Sequence, residues 1–273
     1  MDPVEIAELA LTLPDIDPDQ ASPARIYDYW LGGSQNFAAD REAGRSAAEA
    51  MPALPATARA NRGFLRRAVH HLVADEGITQ LLDLGSGVPT VGNVHEVAQE
   101  LDPDVTVVYV DKDPVAIAHA RSLLAGVPRT PAVLADLRRP EAVLKHPLVR
   151  DSLDFDLPIA VLLSAVLHFV SDEEQPAELI RAYLDRCVPG SFLVISHAAP
   201  ETVAAPGQAG AISDYRNSTK TPFVSRGPEQ LAPLLGGLEI LPPGVVPVDQ
   251  WRAEPMTKHI PIVPTYGLVA RKG

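Results

Sequence analysis

Cysteine is almost missing from this chain: Cys187 is the one thiol in 273 residues, which excludes an internal disulfide and a cysteine-built zinc site, so no metal site is expected. Its apolar neighbours Leu184 and Val188 make it an ordinary helix-face thiol in a reducing compartment. Positive charge is scarce as well. With 23 Lys and Arg against 35 Asp and Glu, the net charge is -12 and no basic run interrupts it. Such a surface repels a phosphate backbone, so no nucleic acid is expected as a partner. No apolar run reaches the length of a membrane span, and the start, with Asp2 and Glu5, lacks the positive flank of a signal peptide. The expectation is a cytoplasmic protein without a membrane partner; the sequence leaves its oligomeric state open.

Aromatic residues make up only 5% of the chain, which makes their clustering informative. Tyr27, Tyr29 and Trp30 all fall in "SPARIYDYWLGGSQNF". Ser22 stands as an N-cap, Pro23 as the first helical residue and Gly32-Gly33 as the stop. The spacing predicts a two-turn helix with Ile26, Tyr27, Trp30 and Leu31 on its apolar face. Residues 1–21 carry Pro and Asp without a period and read as a loose arm, with one short helix at most. A second helix is expected from about Thr57 to Val73, where Phe64, Leu65, Ala68, Val69 and Leu72 recur at helical spacing.

Apolar residues, by contrast, are plentiful at 46%, and from Gln80 they come in short runs separated by helical segments. "QLLDLGSG", "VTVVYVDKD", "TPAVLADL", "PIAVLLSAVLHF" and "GSFLVISHA" each read as holding a strand. Asn93 with Glu96, and Asp113 with Pro114, mark helix starts between them. Runs apolar on both faces that alternate with helices indicate a parallel sheet covered on both sides. "LEILPPGVVPVDQWR" and "PTYGLVARKG" have no strong helix between them and close the sheet antiparallel. The expected fold class is α/β: a Rossmann-like sheet, mostly parallel with a terminal antiparallel hairpin, plus an N-terminal helical cap. One domain is expected over 22–273, with the cap at 22–76 and the core at 77–273.

Gly85 and Gly87, with Ser86 between them, lie where the first strand hands over to a helix. A Cβ there would block both the tight turn and a ligand's approach to the backbone. Asp111, followed by Lys112, stands at the tip of the second strand, 24 residues after Gly87. A carboxylate at that tip faces the glycine turn and can hold both hydroxyls of a ribose. Asp136, followed by Leu137, ends the third strand near where an attached adenine would lie. Together these point to an adenosine-containing ligand. Thr90 stands where a dinucleotide fingerprint wants its third glycine, which weakens NAD and FAD, and no GxxxxGK[ST] occurs. Five alternating units closed by a hairpin are the arrangement of class I methyltransferases, which makes S-adenosyl-L-methionine the first choice of cofactor. An NAD(P)-dependent oxidoreductase and a non-catalytic regulator binding S-adenosyl-L-methionine stay open as alternatives.

The blocks "ARIYDYWLGGSQNFAADREAG", "RANRGFLRRAV", "VVYVDKDPVAIAHAR", "ADLRRP", "AVLHFVSD" and "GVVPVDQWR", taken in order from about Ser22 to Lys272, carry a resemblance. The chain resembles the actinobacterial S-adenosylmethionine-dependent methyltransferase family formerly classed as a domain of unknown function, DUF574. That resemblance implies a class I methyltransferase fold with a helical cap but assigns no acceptor; the expectation is transfer to an unidentified small molecule with release of S-adenosylhomocysteine. It implies Asp83, Gly85 and Gly87 beside the methionine moiety, Asp111 on the ribose, and Asp136 with Leu137 on the adenine.

Elements before the first strand often close the cofactor site in such folds. Tyr27 and Trp30 are therefore expected against the ligand, with Gly33 in a hinge, Asn36 as a polar contact and Arg62 on the methionine carboxylate. The competing reading is that the two aromatics only anchor their helix. Ser164 and His168 fall near the tip of the fourth strand, where an acceptor should approach. His168 is the candidate general base, although its segment is generic and a structural role is the stronger expectation. His197 carries the same ambiguity. Asp172, Glu173 and Glu174 read as a solvated helix start, and Tyr215 with Arg216 as a surface loop, with the shaping of an acceptor pocket as the alternative.

Overall fold

The computed structural model describes residues 17–89, 92–200, 208–254 and 261–273. Most of the N-terminal arm, and Thr90 with its bearing on the dinucleotide fingerprint, lie outside the described residues. Among the described residues three helices come first: α1 (Pro23–Trp30), α2 (Ala38–Ala50) and α3 (Leu54–Ala74). The first and third are the ones the sequence predicts. Pro23 does open α1, but the Ser22 side chain bonds Asp113 instead of capping its own helix. The α2 helix was not legible, because its apolar positions are mostly Ala and its core face includes Asp40 and Gly44.

The sheet follows, with β1 (Gln80–Leu84), β2 (Thr106–Asp111), β3 (Ala132–Leu134), β4 (Ala160–Ser164), β5 (Phe192–Ala198), β6 (Glu239–Ile240), β7 (Val246–Pro247) and β8 (Thr265–Arg271). Its order is β3-β2-β1-β4-β5-β8-β6, with β7 also on β8. The first five strands are parallel, and β8 runs antiparallel to β5, β6 and β7. The closing antiparallel arrangement is thus present, with one arm of the hairpin in two short pieces. Pro242 and Pro243 fall between the pieces, and proline cannot donate to a ladder.

Helices α4 (Val94–Leu101), α5 (Pro114–Leu123), α6 (Pro140–Leu144), α7 (Pro147–Ser152) and α8 (Pro176–Leu184) fill the crossovers. Alternation along each strand divides the core between the two faces. Leu81, Tyr109, Leu162 and Val194 pack under α3, α4 and α5. Leu82, Val110, Leu163 and Ile195 pack under α6, α7 and α8. The α3 helix lies so close to β8 that a Cβ on Gly267 would stand 2.7 Å from the Phe64 ring. Asn93 and Glu96 form the expected capping box, and Asp113 caps α5 through the N–H groups of Val115 and Ala116.

Two further helices, α9 (Gln208–Thr219) and α10 (Pro228–Leu231), lie between β5 and β6. Residues 213–219 are therefore helical, where the polar sequence suggested a loop. Among the described residues no helix is long and apolar enough to cross a membrane. Strand order reverses at β1, whose neighbours are β2 on one side and β4 on the other. The two chain directions diverge there, and that opens a crevice at the carboxyl ends of the strands.

Candidate active site

A cavity of about 220 Å³ occupies this crevice, floored by the strand tips and roofed by α1, α2, α3 and α9. At the end of β1 the chain turns with Gly85 at φ 72 and Gly87 at φ 67, backbone that favours glycine. A Cβ on Gly85 would strike the Val166 side chain, whereas one on Gly87 would project into open space. The turn is braced by Asp111. Its Oδ2 accepts from the Gly87 N–H at 2.8 Å and its Oδ1 from the Asp113 N–H at 2.8 Å. Each oxygen retains a second lone pair for a ligand hydroxyl. Burial pushes the Asp111 carboxyl up to about 6. Burial likewise lifts Asp83 to about 7, opposed by the Arg62 guanidinium and reinforced by Asp111.

The roof answers the question raised by the aromatic cluster. The Tyr27 hydroxyl donates to Ala58 O at 3.0 Å and accepts from Asn61 Nδ2 at 3.0 Å, while its ring faces the Arg62 guanidinium at 6.0 Å. Trp30 Nε1 donates to Gly44 O at 2.9 Å. Both residues thus anchor their polar ends in the cap, and both also line the cavity. Gly33 and Asn36 do not line it. Asn36 Nδ2 donates to Asp28 Oδ2 at 2.7 Å and to Gly33 O at 3.0 Å. The Asp28 carboxylate sits where a Gly33 Cβ would be, so the pair shapes the turn behind α1.

The cap is tied to the sheet by a residue with no signature in the sequence. Buried Arg25 places Nε on Asp40 Oδ2 at 2.7 Å, Nη1 on Asp113 Oδ2 at 3.1 Å and Nη2 on Gln20 O at 2.6 Å. Ser22 joins through its hydroxyl on Asp113. At the third strand tip, Ala135, Asp136, Leu137 and Arg138 line the wall. Arg138 grips the Asp136 carboxylate through Nε at 3.0 Å to each oxygen and reaches Glu174 at 3.1 Å. The Asp136 carboxylate is therefore already engaged, and Leu137 is the buried member of that pair. Lys112 stands at the rim.

Ser164 ends β4 beside Ala165, whose left-handed φ of 53 is held by its N–H on Ser196 Oγ at 2.8 Å. Asn61 Nδ2 reaches Ser164 Oγ at 3.3 Å. His168 follows in a short 3-10 turn (Leu167–Phe169), its ring 4.2 Å from Phe169 and 5.0 Å from Phe223. Behind it His197 is fully paired: Nδ1 lies 2.9 Å from Ala198 O and Nε2 lies 3.2 Å from Arg226 Nη1. Arg226 cannot accept, so Nε2 must, and the proton sits on Nδ1. Arg226 Nη2 continues to Asp172 at 2.6 Å, so the first acid of the exposed helix start expected at 172–174 also ties down a buried cation. Burial, then the His197 and Arg226 charges, hold His168 well below the usual histidine range. Burial holds His197 at about 4. Tyr215, from α9, lines the cavity and stacks near Trp30, whereas Arg216 is exposed.

Asn61, Phe169, Phe223 and Arg138 belong to the wall and were missed from the sequence. Asn61 had a signal. It continues the apolar stripe of α3 backwards, so a polar residue falls on a buried face. The buried cavity atoms Asn61 Oδ1, Ser86 Oγ and His168 Nδ1 have no hydrogen-bond partner among the described residues. With the Cβ-free turn at Gly87 and the buried acids Asp83 and Asp111, this donor and acceptor set fits an adenosyl group joined to a cationic amino acid. The fold and this cradle define a Rossmann-like methyltransferase with S-adenosyl-L-methionine as its cofactor.

Comparison with known proteins specifies the class further. The chain belongs to the S-adenosyl methyltransferase family, whose model matches residues 10–273. It is similar to a candidate methyltransferase from Thermobifida fusca YX, at 38% identity over 95% of this chain and 97% of that one, with a TM-score of 0.88. It is equally similar to a DUF574 family protein from Streptomyces avermitilis MA-4680, at 38% identity over 94% and 99% of the two chains, TM-score 0.88. A SAM-dependent methyltransferase from Anabaena variabilis ATCC 29413 shares the fold at 14% identity, TM-score 0.52, over 76% of this chain and 84% of that one. No curated protein matches the chain.

Proposed function

We propose that this methyltransferase acts in the cytoplasm on a small organic acceptor enclosed in the cavity, with residues 22–76 serving as its lid and 77–273 as its core. The observation that carries this reading is continuity: one cavity runs from the strand tips at Gly87 and Asp111 to α9 and Val263 under the helical roof. A net charge of -12 disfavours nucleic acid as the acceptor.

In this reading Asp111 holds the ribose hydroxyls, and Asp83 with the 85–87 turn receives the amino-acid end. Arg62 meets the ligand's carboxylate, and Leu137 with Arg138 flanks the adenine. Bound S-adenosyl-L-methionine supplies a methyl group already activated by the sulfonium charge. The protein's task is then alignment. Holding the acceptor's lone pair in line with the methyl group at about 3 to 3.5 Å contributes on the order of 7 to 11 kcal/mol of barrier reduction.

The test is methyl transfer from isotope-labelled cofactor into a fractionated cell extract. Label in the fraction below about 1 kDa supports the reading. Label only in protein or nucleic acid overturns it.

A further inference from the structure

The cavity wall is divided by charge. Its ionised side chains all lie at one end, on Arg62, Asp83, residues 111–113, Asp136 and Arg138. Among the described residues, those within 23–30, 47–58, 212–223 and 263–265 that line the cavity include no Asp, Glu, Lys or Arg. This wall is also where a chain poor in aromatics concentrates them. Trp30 and Tyr215 lie 6.4 Å apart at 21°, and Tyr215 and Phe169 lie 6.4 Å apart at 14°. Phe223 stands edge-on to both Phe169, at 66°, and Tyr215, at 75°. Near-parallel ring faces flanked by a perpendicular edge favour a flat aromatic guest, through offset stacking and edge contacts.

Burying an ion against such a wall has a large desolvation cost, so the guest is uncharged. The hydroxyls of Thr57, Thr221 and Thr265 on this wall are paired within the chain, whereas the buried His168 Nδ1 has no hydrogen-bond partner among the described residues. Arg226 and His197, packed behind this imidazole, oppose a positive charge on it, and Phe169 and Phe223 flank it. The ring is thus neutral, and its Nδ1 is a donor in one tautomer and an acceptor in the other. A hydroxyl group satisfies either tautomer. Resting on the methyltransferase reading above, we propose that the acceptor is an uncharged, planar aromatic compound bearing a hydroxyl, seated against Trp30, Tyr215 and Phe169 with that hydroxyl on His168.

The chemistry follows from the seating. An oxygen lone pair of the hydroxyl forms the new O–CH3 bond while the methyl–sulfur bond breaks and its electron pair remains on sulfur. His168 holds the hydroxyl by its hydrogen bond, the methylated oxygen loses its proton to solvent, and the product is an aryl methyl ether with S-adenosylhomocysteine.

The test is calorimetric titration of the intact protein, saturated with S-adenosylhomocysteine, using 2-naphthol, 2-methoxynaphthalene, decahydro-2-naphthol and 6-hydroxy-2-naphthoate. 2-Naphthol should bind at least about tenfold more tightly than the saturated alcohol or the carboxylate. His168→Phe should weaken 2-naphthol by about tenfold and leave 2-methoxynaphthalene within about twofold. Tyr215→Leu should weaken both aromatic probes by a similar factor. Equal binding of the carboxylate or the saturated alcohol overturns the proposal, as does no binding of any aromatic probe. So does an equal effect of His168→Phe on both aromatic probes. Failure to bind S-adenosylhomocysteine in the first titration would overturn the cofactor reading itself, and this one with it.

Discussion

Asp113 serves two elements at once: its Oδ1 accepts from the Val115 N–H at 2.9 Å at the start of α5, while its Oδ2 receives Arg25 Nη1 at 3.1 Å from the cap. The same Arg25 holds Asp40 in the first turn of α2, and both ends of that ion pair are buried. Replacing the arginine leaves two carboxylates in a low-dielectric interior, so Arg25→Met should destabilise the protein by about 3–5 kcal/mol. Urea unfolding measures this. Adding Asp113→Asn should recover part of the loss. A loss below about 1 kcal/mol would mean that water reaches the pair in solution.

Asp111→Ala removes both the brace on the glycine turn and the acceptor for a ribose diol. S-adenosylmethionine affinity should fall by about 1.5 to 3 kcal/mol, the range for hydrogen bonds to a charged group. Calorimetry on the folded variant decides: unchanged affinity takes Asp111 out of the site.

Much of this arrangement was legible, and the reason is local. Gly85, Gly87, Asp111 and Asp113 announce themselves because a strand–turn–helix junction needs those residue types at fixed places in the chain. Arg25, Asn61 and Tyr215 do not, because their partners lie far away in sequence: Arg25 meets Asp113, Asn61 meets Ser164, and Tyr215 meets Trp30. The α9 helix was hidden for a related reason. "SDYRNST" has polar composition and weak helix propensity, and tertiary packing of Ile212 and Tyr215 decides its state. Gly33 and Asn36 show the reverse case, since neither lines the cavity. A double glycine followed by a polar residue looks like a hinge at a ligand, yet the Asp28 carboxylate takes both as a local turn.

Cofactor binding should release protons near neutrality. With its carboxyl at about 7, Asp83 is roughly half protonated at pH 7. A ligand that brings positive charge to it favours the ionised form, so about half a proton should leave on binding at pH 7. Affinity should then climb from pH 6 to 8 and level off above. Titrations in two buffers of different ionisation heat count the proton, and Asp83→Asn should abolish it. Identical heats in both buffers would separate Asp83 from the ligand's charge.

Stability should report the same groups through pH. His197 takes up a proton below about 6.5 in the unfolded chain but only near about 4 in the fold, so its contribution is complete above about 6.5 and is lost as pH falls toward about 4. Asp83 and Asp111 have the opposite sign. The fold keeps them protonated up to about 7 and about 6, whereas an unfolded carboxyl releases its proton near 3.9, so their contribution is present in acid and lost as pH rises through those values. His168 is held low in the same direction as His197, so two histidine slopes oppose two acid slopes between about pH 4 and 6, which should leave the wild-type profile shallow there. Asp83→Asn keeps the shape of the neutral acid and removes its titration. The variant should match the wild type near pH 4.5 and exceed it at pH 8 by up to about 4 kcal/mol, with stability that now rises with pH across the interval. Urea unfolding at pH 4.5, 6 and 8 tests this, and a difference that stays constant across the three would place the Asp83 carboxyl in the ordinary range.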